Sequence, residues 1–383
     1  MKFSLINTDN TARAGILETD HGIIETPVFM PVGTQGSVKA IEQRELDEVG
    51  AQIILGNTYH LYLRPGTEII NRLGGLHKFI SWKKPILTDS GGYQVFSLSE
   101  LNKISEDGVR FSSHLDGSLH FFSPESVIDI QRYLGSDIMM VLDECTPFPT
   151  TFEYAEKSRQ LTFNWASKCK QKFLNSESLY GHSQALFGIV QGSIYPKLRQ
   201  KSALELTELE FDGYAVGGLS VGEPAETMYE MTKICTDILP EHKPRYLMGV
   251  GTPENILESI ELGIDMFDCV MPTRNGRNAM LFTQSGSISI KTAKYKDDPL
   301  PVDEECGCYT CSNFSRAYVR HLFQVHEILA LQLATIHNLY FYQWLVREVR
   351  KAISENRFSA WKQNQLSKFN INKKIKGEKI EYS

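Results

Sequence analysis

The amino-acid sequence predicts an α/β protein built on a (β/α)₈ TIM barrel, with an inserted hairpin and a distinct C-terminal part. Three observations predict it. Short continuous apolar runs recur about eight times, as buried parallel strands require. Amphipathic helical segments separate many of them. Each run ends in glycine or polar residues, the pattern of a barrel whose strand ends converge on one face.

The runs are Thr26 to Val32, Ala51 to Leu55, Pro85 to Leu87, Asp137 to Leu142, Ala185 to Val190, Gly213 to Val216, Arg245 to Met248 and Ile264 to Phe267. Among the intervening helices, Ser123 followed by Pro124 and Glu125 is a helix start: a capping hydroxyl, a proline where no amide is needed, and an early acid. Thr252 and Pro253 repeat this start, and Pro224 to Ile238 reads as a further amphipathic helix. The interval between Val95 and Ser123 is too long for a plain strand-to-helix step. There Val109, Phe111 and Leu115, then Leu119 and Phe121, alternate around Asp116-Gly117, which predicts a hairpin near the barrel mouth. After Asp268 the pattern changes. Met280 to Ile290 reads as a short strand pair, Phe314 to Ser354 as a long helical stretch, and the lysine-rich Asn370 to Ser383 as a frayed tail. The domain reading is a barrel core over 1–275 and a subdomain with C-terminal helices over 276–383.

Bulk properties narrow the function. The 383 residues are 42% hydrophobic and 22% charged, ordinary for a globular chain large enough to bury a core. A net charge of -6 argues against a protein that coats nucleic acid non-specifically, while leaving room for a local basic patch. Seven cysteines, an odd number in a long chain, speak against a disulfide framework and for a reducing compartment. No run reaches the roughly 18 apolar residues of a membrane span, and the N-terminus lacks the apolar core of a signal peptide, so the expected location is the cytoplasm.

The candidate chemistry sits where the runs end. Asp89 follows the third run, Asp143 the fourth, Gln191 the fifth and Gly217-Gly218-Leu219 the sixth. Met248-Gly249 closes the seventh and Asp268 the eighth. One aspartate after a strand is commonly a helix cap or turn former. Three at one mouth, joined by a glutamine and glycine backbone, point to a site. Asp268 is the sharpest case, because Phe267 and Cys269 bracket it with apolar surface and a buried carboxylate needs a partner. Cys306, Cys308 and Cys311 place three thiols within six positions, which suits a tetrahedral zinc ion. The fourth ligand is open among His321, His326 and His337; His337 would pin the long helix to the loop. A set of three cysteines and a histidine is closed, hence structural. Arg274, Arg277, Lys291, Lys294 and Lys296 lie between Asp268 and the cysteines, where they would hold phosphates beside the mouth.

Long strings carry a family resemblance. They are Gly56-Asn57-Thr58-Tyr59-His60-Leu61, Leu87 through Phe96 (LTDSGGYQVF), Gly188-Ile189-Val190-Gln191-Gly192, Gly217 through Glu223 (GGLSVGE) and Asp265 through Arg277 (DMFDCVMPTRNGR), together with the cysteine cluster and His337. In these the chain resembles the bacterial tRNA-guanine transglycosylases, or queuine tRNA-ribosyltransferases, over nearly its whole length except the tail. The resemblance implies exchange of the wobble guanine of GUN-anticodon tRNAs for another base by double displacement, in queuosine biosynthesis. It implies that Asp268 is the nucleophile, Asp89 the general acid/base and Asn57 the group orienting Asp89. It implies that Asp143, Gln191, Gly218 and Leu219 read the base, that Tyr93 and Met248 sandwich it, and that Cys306, Cys308, Cys311 and His337 hold one structural Zn²⁺. Val221, where eukaryotic forms carry glycine, favours 7-aminomethyl-7-deazaguanine over the bulkier queuine. A homodimer is expected on the same ground. A barrel glycoside hydrolase and a non-catalytic partner subunit are the competing readings. The first does not explain the base-reading set, and the second expects the aspartates to be lost.

Overall fold

The computed structural model describes residues 1–98 and 102–375. Its central sheet has nine hydrogen-bonded segments, and the two at its ends, Val28–Met30 and Val32–Gly33, flank Pro31 in one continuous extended stretch. That stretch is therefore one strand, β1, and the sheet closes on itself as eight. The others are β2 (Ile54–Gly56), β3 (Ile86–Thr88), β4 (Ile138–Met140), β5 (Ala185–Val190), β6 (Gly213–Val216), β7 (Arg245–Leu247) and β8 (Met266–Asp268). All neighbours are parallel, and closure is made by Met266 against Val28 on one side of β1 and by Val32 against Leu55 on the other. Each of the eight expected runs overlaps one of these strands, and β1, β2, β3 and β8 extend one residue beyond their runs. The strand residues are buried almost throughout, because the interior packs one face and helices cover the other.

Helix starts follow the sequence closely. Ser123 caps Pro124–Leu134 and Thr252 caps Pro253–Glu261, each accepting from the amide three residues on. The partner in the first capping box is Ser126, not the early acid Glu125. The predicted hairpin is present as Gly108–Ser112 paired with Leu119–Phe122, and Asn102–Ser105 adds a third antiparallel strand. Residues 2–26, to which sequence periodicity assigns no element before Thr26, form a three-stranded antiparallel sheet, Lys2–Asp9, Ala12–Thr19 and Gly22–Thr26. The stretch from Phe314 to Ser354 is not one helix. It divides into Arg316–Gln324 and Ile328–Ser354, because His326 takes a left-handed φ of 59° that no helix continues through. The tail is a helix from Phe358 to Ile375, so its first part is not frayed; residues 376–383 of the expected tail lie outside the described residues.

Among the described residues, two apolar cores result. The larger fills and surrounds the barrel. The smaller gathers Ala279, Leu281, Ile290, Tyr295, Val302 and Val319 around the segment that carries the cysteines. The helix Ile328–Ser354 belongs to both. Ala330, Leu333 and Ala334 enter the small core, while Leu339, Tyr342, Leu345 and Val349 enter the large one. Tyr342 donates to the Gly251 carbonyl, and Gln343 Nε2 to the Phe29 carbonyl at 3.0 Å, which fixes this helix on the barrel. Among the described residues no helix is long and apolar enough to cross a membrane.

Candidate active site

Parallel barrel strands all end on one face, so residues that follow β3, β4, β5, β6 and β7, and Asp268 at the end of β8, meet there by topology. Asp89 follows β3 directly. Its Oδ1 accepts from the backbone amides of Thr58 (2.9 Å) and Gly91 (3.1 Å), and its Oδ2 from Asn57 Nδ2 (2.5 Å). Asn57 is itself locked, since its Oδ1 caps the next helix through the His60 amide at 3.1 Å. Gly91 is required here. Its φ is 79°, and a Cβ would stand 3.0 Å from the Tyr59 amide nitrogen.

Asp268 faces a different set of donors. Its Oδ1 accepts from the Gly249 amide at 2.7 Å and from the Tyr246 hydroxyl at 2.5 Å. Tyr246 is wholly buried inside β7, and no sequence motif singles it out. Both aspartates keep partial solvent exposure although protein atoms crowd them closely. Burial pushes the Asp89 carboxyl up to about 7, against the pull of the Thr58 amide, and the nearby Asp268 charge adds to the rise. Burial also raises Asp268, while Tyr246 and the Gly249 amide favour its ionised form. The two carboxylates thus feel each other across the mouth, and the environment at Asp89 keeps one proton available near neutrality.

Asp143 lies beside them. Its Oδ2 accepts from Gln191 Nε2 at 2.8 Å and its Oδ1 from Ser90 Oγ at 3.3 Å; burial raises its carboxyl to about 6. Gln191 Oε1 is buried with no hydrogen-bond partner, and a Cβ on Gly218 would stand 2.2 Å from it. An orphaned buried acceptor next to a bare glycine backbone is what a ligand N–H would satisfy. Met248 covers this corner, its sulfur 3.4 Å from where a Cβ on Gly217 would be. Leu219 is buried, whereas Tyr93, on the helix after Asp89, is 54% exposed and free to meet a flat ligand face.

Two further residues organise this face, Arg199 and Glu223, the second already within the Gly217–Glu223 string. Arg199 is fully buried on the helix after β5, and its guanidinium donates to the carbonyls of Val190, Gly217, Ser193 and Gly218, tying the ends of β5 and β6 together. Nothing in its local sequence marks it, because its partners are backbone atoms. The carboxylate of Glu223 accepts from the amides of Ser220 and Val221, holding the loop that carries Val221. Cys145 is close to Asp143, and burial pushes its thiol up to about 12, which keeps it neutral.

The basic residues separate. Arg274 and Arg277 stand on the short helix Met271–Arg277 directly after Asp268, the first exposed and the second partly so. Lys291 and Lys294 are carried by the small core instead, over the Phe323 ring at 5.7 Å and the Tyr295 ring at 4.8 Å.

The cysteine cluster is assembled as a four-donor set. The thiols of Cys306, Cys308 and Cys311 lie 3.8, 3.5 and 3.3 Å from His337 Nδ1. A zinc ion with Zn–S of about 2.3 Å and Zn–N of about 2.0–2.1 Å gives tetrahedral S···N edges of about 3.6 Å, so the donors fit. The other ring nitrogen, Nε2, is fixed at 2.6 Å from the Phe282 carbonyl. His321 and His326 are not in this cluster. Next to His337, Asn338 donates to the carbonyls of Pro272 and Met280, so the helix that carries the donor also braces the helix that follows Asp268.

Known proteins resemble this chain over almost its whole length. The family model described as "Queuine tRNA-ribosyltransferase" matches residues 8–370. A Thermoanaerobacter sp. (strain X514) protein named queuine tRNA-ribosyltransferase is 56% identical over 371 residues, covering 96% of this chain and 98% of that one. The Aquifex aeolicus protein of the same name is 56% identical over 379 residues, with the same two coverages. One from Neisseria gonorrhoeae is 56% identical over 361 residues, covering 94% and 96%. A match over almost the whole chain, at this identity and with both aspartates held as described, means that the chain belongs to the queuine tRNA-ribosyltransferase family.

Proposed function

We propose that this pentosyltransferase exchanges the wobble guanine of GUN-anticodon tRNAs for 7-aminomethyl-7-deazaguanine by double displacement. The observation that carries the reading is the pair Asp89 and Asp268. They come from β3 and β8, interact electrostatically, and are held by separate donor sets. The Asp268 carboxylate attacks the ribose anomeric carbon, the bond to guanine breaks, and the Asp89 proton goes to the departing base. The incoming base then gives its ring N–H proton to Asp89 as its nitrogen displaces the Asp268 oxygen. Two displacements restore the original configuration, as in retaining glycosidases. The nucleotide has to leave its stack to reach both groups.

In this reading Asp143, Gln191, Gly218 and Leu219 bind the base edge, Tyr93 and Met248 its faces, and Val221 limits the substituent it carries. Arg274 and Arg277 contact phosphates beside the mouth, with Lys291 and Lys294 further along the RNA. Cys306, Cys308, Cys311 and His337 hold Zn²⁺, which supplies structure by cross-linking the loop to the long helix. The barrel over 1–275 is the catalytic part and 276–383 the zinc-binding subdomain. The protein works as a cytoplasmic homodimer.

Mass spectrometry of protein mixed with a GUN-anticodon tRNA and a base analogue tests the mechanism. A ribosylated peptide containing Asp268 is expected; an adduct on any other residue, or release of free sugar instead of exchange, would overturn it. Sedimentation at working concentration tests the dimer, which a mass of 43.4 kDa rules out.

A further inference from the structure

The opposite end of the barrel carries a second cluster of ligating side chains. His21 lies in the turn between two strands of the N-terminal sheet, His77 on the helix Gly75–Ile80, and His182 in the loop before β5. One ring nitrogen from each lies within 4.8 Å of the others. Asp137, just before β4, stands beneath them with its side chain wholly buried. It precedes a strand whereas Asp89 and Asp268 stand at strand ends, so this cluster occupies the barrel floor, away from the catalytic mouth.

The hydrogen bonds of these rings are those of metal ligands. A ligating histidine gives one nitrogen to the metal and anchors the other on a carboxylate or carbonyl. His21 Nδ1 lies 2.7 Å from Asp137 Oδ1, and His182 Nε2 lies 3.0 Å from the Gly135 carbonyl. That leaves Nε2 of His21 and Nδ1 of His182 for a further partner. His77 Nε2 is buried and pairs with Asp137 Oδ2 at 3.2 Å, which leaves its Nδ1 for a further partner. The Asp137 carboxylate, taken out of water, is paired with both His21 and His77 and so orients these two rings.

We propose that His21, His77 and His182 form a second metal site, for a divalent ion that prefers imidazole, such as Ni²⁺ or Zn²⁺. One adjustment is required. His21 and His77 stack at 3.7 Å with 13° between their planes, and a metal lies in the plane of each ring it binds. Both rings pair with Asp137, so one of them has to tilt out of the stack before the two can share an ion. The bound ion ties the N-terminal sheet, the helix Gly75–Ile80 and the loop before β5 together, a structural role at the floor of the fold.

Equilibrium dialysis of the full chain against Ni²⁺ at pH 7.5, with the Cys₃His zinc retained and measured in parallel, is the test. One Ni²⁺ per chain is expected, with nitrogen and oxygen but no sulfur in its X-ray absorption shell. His21→Gln and His182→Gln should each weaken binding at least tenfold while keeping full zinc content; His326→Gln, outside the cluster, should not. Binding by the unaltered chain should be lost at pH 5.5, where protons take the ring nitrogens. This arm needs no variant to fold. Nickel uptake no greater in the wild type than in His21→Gln, or a sulfur shell showing nickel in the cysteine site, overturns the proposal. So does titration of the three histidines with no metal uptake, which would make the cluster a proton-held clamp.

Discussion

The mouth around Asp89 and Asp268 and the cluster around His337 are both polar centres set into apolar surroundings, yet they are built in opposite ways. The cluster draws three of its donors from six consecutive residues and needs one long-range contact, His337. The mouth draws each group from a different strand end, and no two of its carboxylates belong to the same loop. The donor sets differ as well. The cysteine set uses four protein donors on a common point and leaves no direction open. The mouth leaves Gln191 Oε1 unpaired and both aspartates partly exposed, which costs stability and is tolerated where a ligand completes the set. One centre is closed, as a structural site would be; the other is open, as the proposed substrate site requires. Substitutions at the mouth should therefore remove activity and spare stability, and substitutions at the cluster should do the reverse.

The largest effect is expected at Asp268. Asp268→Ala should abolish the covalent RNA adduct and lower exchange by roughly 10⁴-fold or more, as loss of a nucleophile does, while the thermal midpoint stays within a few degrees. Adduct formation by the variant would remove Asp268 from its role. Asp89→Asn comes next, with a loss of about 10²–10⁴-fold, typical for a general acid/base. The wild-type rate should fall above about pH 7, where Asp89 loses its proton, and at low pH, where Asp268 gains one. The alkaline limb should vanish in Asp89→Asn.

The same shift predicts a stability signature. A carboxyl raised above its unfolded value stabilises the fold below about pH 4, and that contribution is lost as pH rises through about 7. Asp89→Asn should therefore gain on the wild type between pH 5 and pH 8 by on the order of 1–3 kcal/mol, read as the difference in melting temperature. An unchanged difference would show that Asp89 is not raised.

At the cluster, Cys308→Ser should release the metal and lower the melting temperature by several degrees, with proteolysis starting in the segment 276–327. Activity should fall only as the helix Met271–Arg277 loses the brace from Asn338. A variant that keeps its melting temperature but loses all exchange would mean that the two centres are not separate in function. The smallest effect is expected for Arg274→Ala, which should weaken tRNA binding severalfold and reduce its salt dependence by about one phosphate contact.

Much of this was legible beforehand for identifiable reasons. Parallel strands are buried on both faces, so β4 and β5 appear as uninterrupted apolar runs. Helix caps are local, so Ser123 and Thr252 announce their helices. The N-terminal sheet was not legible, because Lys2–Asp9 is largely exposed and shows no clear alternation. The break at His326 was not legible either, since one residue in a left-handed conformation leaves hydrophobic periodicity intact. Arg199 and Tyr246 carry no local signal because they act from inside a helix and a strand on partners that only the fold brings near.

The sequence by itself determined the barrel, the order of its strand ends and the identity of the groups they carry, since these depend on periodicity and on local turn chemistry. Tertiary structure alone decided which donors fix each carboxylate, and that Lys291 and Lys294 pack over rings of the small core. The physical reason is range. Strand and cap preferences act over a few residues, whereas a hydrogen bond or a shift in proton affinity depends on atoms that meet only after the chain has closed on itself.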